Sequence, residues 1–345
     1  MKGNFFWKSI YTGWEKPERV SAPGYTLLLM VPGDLPVFLQ IAMEICALQN
    51  AGRRIETVVV PDNISPALLE LFKDLKSRWK NGPIRMARLN PFEYFVTRTM
   101  NNPHTNCWLQ FIRGCNEAST THLLWHDADL FMTQPDFLEN HYQKCAEGGL
   151  ACLGASQAWD EWYRQNNYGH LVSTWELVLD LKWVRDFKPW QHRGHDGTIH
   201  GQMHTFDITF LPQCLTEPSR IRLAAEEAQG FVHFNYVIGT YRKFQNSRGS
   251  FEDNGFKLLL VRLLAEAYDR SGWKYEVPSL PLLAAGLKDP SQRVTFLDPT
   301  ARTGYPAFRK KLQDLMECGL LNQERKKIIQ DGVSPFDEAF SWKQT

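Results

Sequence analysis

The first 130 residues alternate between short apolar runs and segments with helical spacing, and this order limits the folds open to the chain. Apolar runs at 26–31, 55–60, 84–89 and 122–125 predict four strands. Between them, apolar residues recur at helical spacing, and each helix has a clear start or stop signal. A β-α-β-α-β-α-β order favours a parallel sheet with right-handed crossovers. We therefore predict an α/β fold.

Polar or turn-forming residues follow three of these predicted strands. Pro32 comes after the first strand, Asp62 after the second and Asp127 after the fourth. In open α/β sheets, ligands bind beyond the carboxyl ends of the strands. We expect these three positions to border a binding site.

The fourth strand ends in the stretch THLLWHDADLFM, where Asp127 and Asp129 interrupt apolar residues. Two carboxylates spaced i, i+2 can face the same way and share one hard cation. Mg²⁺ and Mn²⁺ accept oxygen ligands and keep positions open for phosphate. The pattern predicts a divalent metal carrying a diphosphate, and its alternative is a turn with two solvated aspartates.

Four stretches in the range 24–140 resemble the GT-A fold glycosyltransferases: YTLLLMVPG, RIETVVVPDN, LQFIRGCNEASTTHLLWHDADLF and QPDFLEN. The resemblance implies a Rossmann-like, mostly parallel central sheet flanked by helices. After residue 250 the residue pattern predicts a helical extension, and no family motif covers it. The resemblance also implies a metal-dependent, hexosyltransferase-like enzyme that moves a sugar from a nucleoside-diphosphate sugar to a hydroxyl or amine. A UDP- or GDP-sugar is the expected donor, and Mn²⁺ or Mg²⁺ the expected cofactor.

The resemblance also assigns residues. Asp129 is the principal metal ligand, and Asp127 approaches both the metal and the ribose or donor sugar. The other residues expected at the nucleotide sugar are Pro32, Asp62, Asn63 and Arg113. The segment 61–63 reads Pro-Asp-Asn where many relatives carry two acidic residues, so the resemblance does not fix the nucleotide contacts of this segment.

GT-A enzymes often supply a late histidine as a further metal ligand, and the stretch GFVHFNYVIGTYRKFQ offers His233. Neutral imidazole is a normal Mn²⁺ ligand. The alternative is a histidine packed inside a strand. Tyr241, Arg242 and Lys243 follow closely, and they either neutralise diphosphate or form a basic surface turn.

Inverting enzymes of this fold use a carboxylate to deprotonate the acceptor. Asp207 and Asp196 are the candidates in the region between the two metal-binding segments, with Glu176 as a third. Asp207 is preferred because it begins an apolar stretch, where desolvation raises a carboxyl pKa. Its alternative role is a helix N-cap. The preference for inversion depends on this residue, since a retaining enzyme needs no such base.

Four histidines, at positions 192, 195, 200 and 204, raise the alternative of a zinc site. Three glycines interrupt this segment, and it lacks the glutamate of a zinc hydrolase. We expect a glycine-hinged flap over the site instead.

Two other functions remain open at this level. A sugar-phosphate nucleotidyltransferase would carry a glycine-rich basic loop after the first strand, where this chain reads VPGDLPVF. A non-catalytic nucleotide-sugar-binding module would need no intact metal site.

Composition excludes some partners. The net charge of +1 gives no sign of bulk nucleic-acid binding. The longest apolar segment is broken by prolines, so no transmembrane span is predicted. The seven cysteines include no CxxC pair, and the first 14 residues lack a signal-peptide core. We expect reduced thiols and a cytoplasmic location.

The expected division of the chain is an N-terminal extension (1–23), a nucleotide-sugar-binding half (24–140), an acceptor-binding half of the same domain (141–250) and a mainly helical extension (251–345). The extension is expected to shape acceptor choice or to form a homodimer. The acceptor itself, a small molecule or a glycan, is not indicated.

Overall fold

The structure, a computed structural model, describes residues 2–16, 21–158, 160–199, 201–224, 230–249, 251, 255–270, 272–273 and 275–342. Its strands are β1 (Ala22–Val31), β2 (Arg54–Pro61), β3 (Ile84–Met86), β4 (Thr120–Asp127), β5 (Leu130–Met132), β6 (Cys152–Gly154), β7 (Glu176–Asp180), β8 (His195–Ile199), β9 (Gln202–Phe206), β10 (Ile221–Leu223) and β11 (Phe231–His233). Its helices up to residue 186 are α1 (Lys2–Ile10), α2 (Pro36–Ala47), α3 (Pro66–Arg78), α4 (Pro91–Met100), α5 (Pro103–Glu117), α6 (Phe137–Glu147), α7 (Glu161–Gln165) and α8 (Leu181–Asp186). The later helices are α9 (Phe210–Cys214), α10 (Val237–Asn246), α11 (Gly255–Ala267), α12 (Leu280–Ala285), α13 (Pro299–Glu317) and α14 (Gln323–Ala339).

Seven strands form the central sheet in the order β10-β6-β7-β4-β1-β2-β3. Strands β4, β1, β2 and β3 run parallel to one another, and β7 lies antiparallel between β4 and β6. Helices pack on both faces, and further helices follow at the C-terminal end. The predicted α/β architecture, a mostly parallel sheet with a C-terminal helical region, is confirmed.

Strand β1 is buried on both faces because it lies near the middle of the sheet. Leu27 and Leu29 face a core shared with α2 and the C-terminal helices, whereas Leu28 and Met30 face a second core shared with α5. A strand buried on both faces needs a continuous apolar run, and the sequence TLLLMV provides one. The sheet is thereby fixed between two helical layers.

The start signals of two helices were predicted correctly. The Ser65 hydroxyl accepts from the Leu68 N–H at the start of α3, and the Asn102 side chain accepts from the Thr105 N–H at the start of α5. Proline follows each of these caps, at a position where no N–H is needed. Helix α5 begins beside the carboxyl ends of β1 and β2, where the Asn106 amide donates to Asp62.

One predicted helix is wrong. The helical spacing of its apolar residues predicts a single helix over residues 173–186, but the segment contains strand β7 followed by the short helix α8. Trp175, Leu179 and Trp183 recur every four residues, which suggested a helix. Strand β7 instead hydrogen-bonds to β4 and β6, and this pairing outweighs the local spacing.

None of the described helices is both long and apolar enough to cross a bilayer. The expected division of the chain at residues 24, 141 and 251 stays a prediction.

Candidate functional site

The two aspartates and the late histidine come together in space. One ligand atom from each of Asp127, Asp129 and His233 lies within 4.8 Å of the others. Strand β4 ends at Asp127, and a tight turn leads through Asp129 into β5. Strand β11 pairs antiparallel with β5, placing His233 opposite Leu130 and its Nε2 atom 3.3 Å from Asp129 Oδ1.

Neighbouring groups hold these side chains in place. The Trp125 Nε1–H donates to Asp127 Oδ1 at 3.1 Å, and the Val237 N–H donates to Asp129 Oδ2 at 3.0 Å. The Trp175 ring packs edge-on against the His233 ring, with 4.6 Å between the ring centroids. The group is therefore held from several sides, as a binding site requires.

The chemistry of the group fits a divalent cation. Both ring nitrogens of His233 are buried: Nε2 faces Asp129 Oδ1 at 3.3 Å, and Nδ1 has no hydrogen-bond partner within the described part of the chain. Burial raises the pKa of Asp127, and the nearby Asp129 raises it further. Burial acts in the same direction on Asp129, but the His233 ring and the Val237 N–H outweigh it and lower the Asp129 pKa. Two carboxylates and an imidazole suit Mn²⁺ or Mg²⁺.

A cavity of about 560 Å³ opens above this group. Its walls come from the carboxyl ends of β1, β2 and β4, the first turns of α5, and the segments around residues 174 and 207 and at the start of α10. The lining includes Pro32, Asp62, Asp127, Asp129 and Asp207. The size suits a small organic ligand, and the location at the strand ends agrees with the expectation from the sequence.

Asp62 lies at this edge, but its carboxylate is occupied by protein donors. It accepts from the Gly33 N–H at 2.9 Å, the Asn63 amide at 3.0 Å, the Asn106 amide at 3.2 Å and Arg242 Nη2 at 2.7 Å. These bonds join the ends of β1 and β2 to α5 and α10. Direct contact between Asp62 and a base or ribose stays a prediction, and the observed contacts give Asp62 a positioning role.

Gly33 allows the β1 and β2 loops to approach each other closely. A Cβ atom at Gly33 would lie 1.8 Å from the backbone oxygen of Asn63. Any other residue at position 33 would separate the loops and weaken the contact with Asp62. Asn63 therefore lies next to the site, where its backbone contacts Gly33 and its side-chain amide donates to Asp62. It is not among the residues that line the cavity.

Arg242 has a role that the sequence did not suggest. Its guanidinium is 2% exposed and donates to Asp34 at 2.6 Å as well as to Asp62. Burial opposes its charge, but the two aspartates outweigh burial and raise its pKa. The interpretation as a basic surface turn is wrong for this residue because Arg242 forms a buried clamp between two loops.

We expect Arg242→Met to reduce the free energy of unfolding by about 3–5 kcal/mol, because breaking a buried ion pair leaves a buried charge without its partner. Urea unfolding followed by circular dichroism measures the change. Arg78→Met is the matched control, since Arg78 forms an exposed pair with Asp74, and its removal should cost less than about 1 kcal/mol. Equal losses in the two variants would contradict the clamp.

The structure separates the three candidate bases. Asp207 lines the cavity, accepts from the Ile208 N–H at 2.7 Å and lies 3.7 Å from His104 Nδ1. The cap position of α9 is Thr209, so the alternative that Asp207 caps a helix is wrong. Asp196 is exposed on β8 and accepts from the Thr205 hydroxyl. Glu176 is buried in β7 against the His126 ring.

Arg113 lies away from the cavity. It is part of α5, where it pairs with Glu15 at 3.1 Å and with Glu93 at 3.1 Å. It is not among the cavity-lining residues. The structure therefore places Arg113 in a buried ion-pair network, and its predicted contact with the nucleotide sugar has no support from its position.

The histidine-rich segment forms the antiparallel hairpin β8–β9. His192 is buried, with its Nε2 atom 2.9 Å from the Val184 carbonyl oxygen, and His204 stacks on Trp162. His200 lies outside the described residues. Within the described ranges, the group at 127, 129 and 233 is the one set of three ligands with metal-binding spacing. These observations do not support the zinc alternative.

Sequence reasoning missed one face of α5. His104, Cys107 and Gln110 line the cavity, together with Asn106. The Gln110 amide donates to the carbonyl oxygens of Val31 and Val60, at the carboxyl ends of β1 and β2. The spacing of His104, Cys107 and Gln110, three residues apart on one helix, could have indicated this face.

No known protein-family model matches the chain, and no curated protein matches it. Similar folds do occur among solved structures. A mannosyltransferase from Pyrobaculum calidifontis, PcManGT, in complex with GDP-Man and Mn²⁺, is 12% identical, with 99% of this chain and 93% of that chain covered and a TM-score of 0.42. The galactosyltransferase LgtC, in complex with donor and acceptor sugar analogs, is 14% identical, with 88% and 99% covered and a TM-score of 0.38.

The bifunctional glycosyltransferase WbbM is 13% identical, with a TM-score of 0.42, and the match covers 62% of this chain and 40% of that chain. The match to an active-site mutant of LgtC spans 61% of that protein. At such low identities and TM-scores the function has to be inferred from the site itself.

Proposed function

We propose that the chain is a metal-dependent glycosyltransferase of the GT-A fold, which transfers a sugar from a nucleoside-diphosphate sugar to a hydroxyl or amine. One observation carries the proposal. The ligand atoms of Asp127, Asp129 and His233 lie within 4.8 Å of one another at a cavity formed by the carboxyl ends of parallel strands. A metal–diphosphate complex fits both the ligand set and the location.

The chain offers two kinds of group to the diphosphate. Asp127, Asp129 and His233 would hold Mn²⁺ or Mg²⁺, which supplies positive charge to the departing phosphate. Ile238 and Gly239 line the cavity in the first turn of α10, a helix of ten residues. Free N–H groups at a helix N-terminus favour an anion. The nucleoside would lie toward Pro32, where β1 ends.

The transfer step is a displacement at the anomeric carbon of the donor sugar. The acceptor oxygen forms a bond to this carbon, the bond from the carbon to the phosphate oxygen breaks, and the nucleoside diphosphate leaves with the electron pair. The acceptor proton passes to the Asp207 carboxylate. This assignment gives inversion, and it depends on Asp207 being the candidate carboxylate that lines the cavity.

We expect a nucleoside diphosphate to raise the melting temperature of the protein only when Mn²⁺ is present. The diphosphate would fill the coordination positions that the protein leaves open on the metal, and the metal would neutralise the diphosphate. A thermal-shift plate with UDP, GDP, dTDP and CDP, each with and without Mn²⁺, measures this linkage. At a ligand concentration of about 100 times Kd the stabilisation is about 2.7 kcal/mol. A flat response to all four nucleotides with Mn²⁺ would refute the proposal.

Slow hydrolysis of a nucleotide sugar separates an enzyme from a binding module. The nucleoside diphosphate that raises the melting temperature identifies the base of the donor. Nucleotide sugars with that base are then incubated with the protein and Mn²⁺, and release of the nucleoside diphosphate is followed over time. Turnover supports the transferase, whereas binding without turnover across the series supports the module.

A further inference from the structure

A second cavity, of about 480 Å³, adjoins the first. It lies between residues 100–104, which connect α4 to α5, and one side of α10. Pro103, His104 and Tyr236 line both cavities. His104 Nδ1 lies 3.7 Å from Asp207 Oδ1, so the rim shared by the two cavities is next to the proposed base.

Asn101 and Asn246 line this second cavity, and both belong to a network of hydrogen-bonded side-chain amides centred on Gln245, which lies behind them. Gln245 Nε2 donates to Asp34 at 2.9 Å, and Gln245 Oε1 accepts from Arg242 at 2.9 Å and from the Asn101 amide at 3.2 Å. The Asp34 carboxylate can only accept hydrogen bonds, so the Gln245 amide nitrogen must face Asp34 and the Gln245 amide oxygen must face Arg242 and Asn101. The Asn101 amide nitrogen must in turn face Gln245. Asn246 joins this network because its amide nitrogen donates to the backbone carbonyl oxygen of Asn101 at 3.2 Å.

Tyr236 supplies an aromatic ring at the shared rim. Its backbone is left-handed, with φ of 58°, and the residue is 37% exposed. A Cβ atom on Gly239 would lie 2.4 Å from the Tyr236 ring, so the ring rests directly on the first turn of α10. The His104 ring lies beside it, 6.1 Å between centroids. The ring is therefore held in one place although it borders solvent.

We propose that this second cavity binds the acceptor as a pyranose ring, with Asn101 and Asn246 bonding its hydroxyls and Tyr236 packing against its C–H face. A sugar combines groups that donate and accept hydrogen bonds with an apolar face, and amides beside an aromatic ring match both properties. The shared rim would bring one hydroxyl to Asp207. This inference rests on the proposed function and narrows its acceptor to a carbohydrate.

Saturation-transfer NMR with methyl glycosides of glucose, galactose, mannose and N-acetylglucosamine tests the inference. The protein carries its nucleoside diphosphate and Mg²⁺, because Mn²⁺ would broaden the signals. At least one glycoside should receive saturation from the protein. Asn246→Ala should weaken its binding by about fivefold to tenfold, the effect of one lost hydrogen bond. Tyr236→Ala should weaken it as well, and Tyr236→Phe should restore it.

Phe95→Ala is the matched control, because Phe95 is an exposed aromatic on α4 that lines neither cavity. It should leave the glycoside signals unchanged, and circular dichroism confirms that each variant is folded. Binding of the nucleotide without any glycoside signal would overturn this inference alone. Loss of signal in Phe95→Ala equal to that in Asn246→Ala would also overturn it. Absence of nucleotide binding would instead refute the proposed function.

Discussion

Asp129→Asn should lower the Mn²⁺-dependent release of nucleoside diphosphate from the donor sugar by about 10³-fold, the upper range for loss of one electrostatic contact to a transition state. The substitution removes the negative charge that faces His233. Its amide oxygen can still accept from the Val237 N–H, so the start of α10 keeps its hydrogen bond. The rate is measured by a coupled assay for the free nucleotide.

The control for this variant is Asp331→Asn, an exposed carboxylate on α14, which should keep the wild-type rate. The midpoint of thermal unfolding without metal should change little in either variant. Full activity of Asp129→Asn with Mn²⁺ would show that the metal is held elsewhere.

Asp207→Asn should lower the rate of sugar transfer by about 10²–10⁴-fold, the usual contribution of a general base. Asparagine has nearly the same shape, and its Oδ1 can accept from the Ile208 N–H, so the loop is retained. Nucleotide and Mn²⁺ binding should be unchanged, because the metal ligands are not touched. Transfer to the acceptor and thermal shift with nucleotide are measured side by side.

The matched substitution is Asp74→Asn, at an exposed position on α3, which should leave transfer unchanged. Asp196→Asn tests the second candidate base. If the loss occurs in Asp196→Asn and not in Asp207→Asn, the base is on the β8–β9 hairpin. Normal transfer in both variants would favour a retaining mechanism.

The first half of the fold was predictable because its local signals agree with its tertiary environment. Strand β1 is a continuous apolar run and is buried on both faces, and α3 begins at its Ser65 cap. In such segments, propensity, capping and burial favour the same structure. The first four strands therefore lie close to the positions along the chain at which the sequence predicts them.

Other elements depend on contacts that the local sequence does not reveal. Helix α4 is an exception, because the capping box of Asn90 and Glu93 at its start is a local signal that was overlooked. The sequence of residues 231–238 taken alone predicts one strand, but β11 ends at His233 and α10 begins at Val237. Between β11 and α10, Asn235 and Tyr236 adopt left-handed backbone conformations. Such conformations are uncommon for residues other than glycine, so the sequence gives little sign of this break.

The site was predictable in part for the same reason. Asp127, Asp129 and His233 were identified because their chemistry is visible as residue types in order along the chain. The clamp of Arg242 on Asp34 and Asp62 could not be identified, since it joins residues 208 and 180 positions apart. No local pattern records which loop a buried arginine will reach.

These long separations have a consequence for the order of folding. Helix α10 reaches Asp129, Asp62 and Asp34 across 108, 180 and 208 residues, so its docking closes the largest loops in the site. Contacts between distant residues form slowly because closing a long loop costs chain entropy. A polypeptide still emerging from the ribosome would therefore contain the parallel strands before His233 and α10 have been made. The cavity is complete only after the segment beyond residue 230 has been synthesised and has packed against the strands made first.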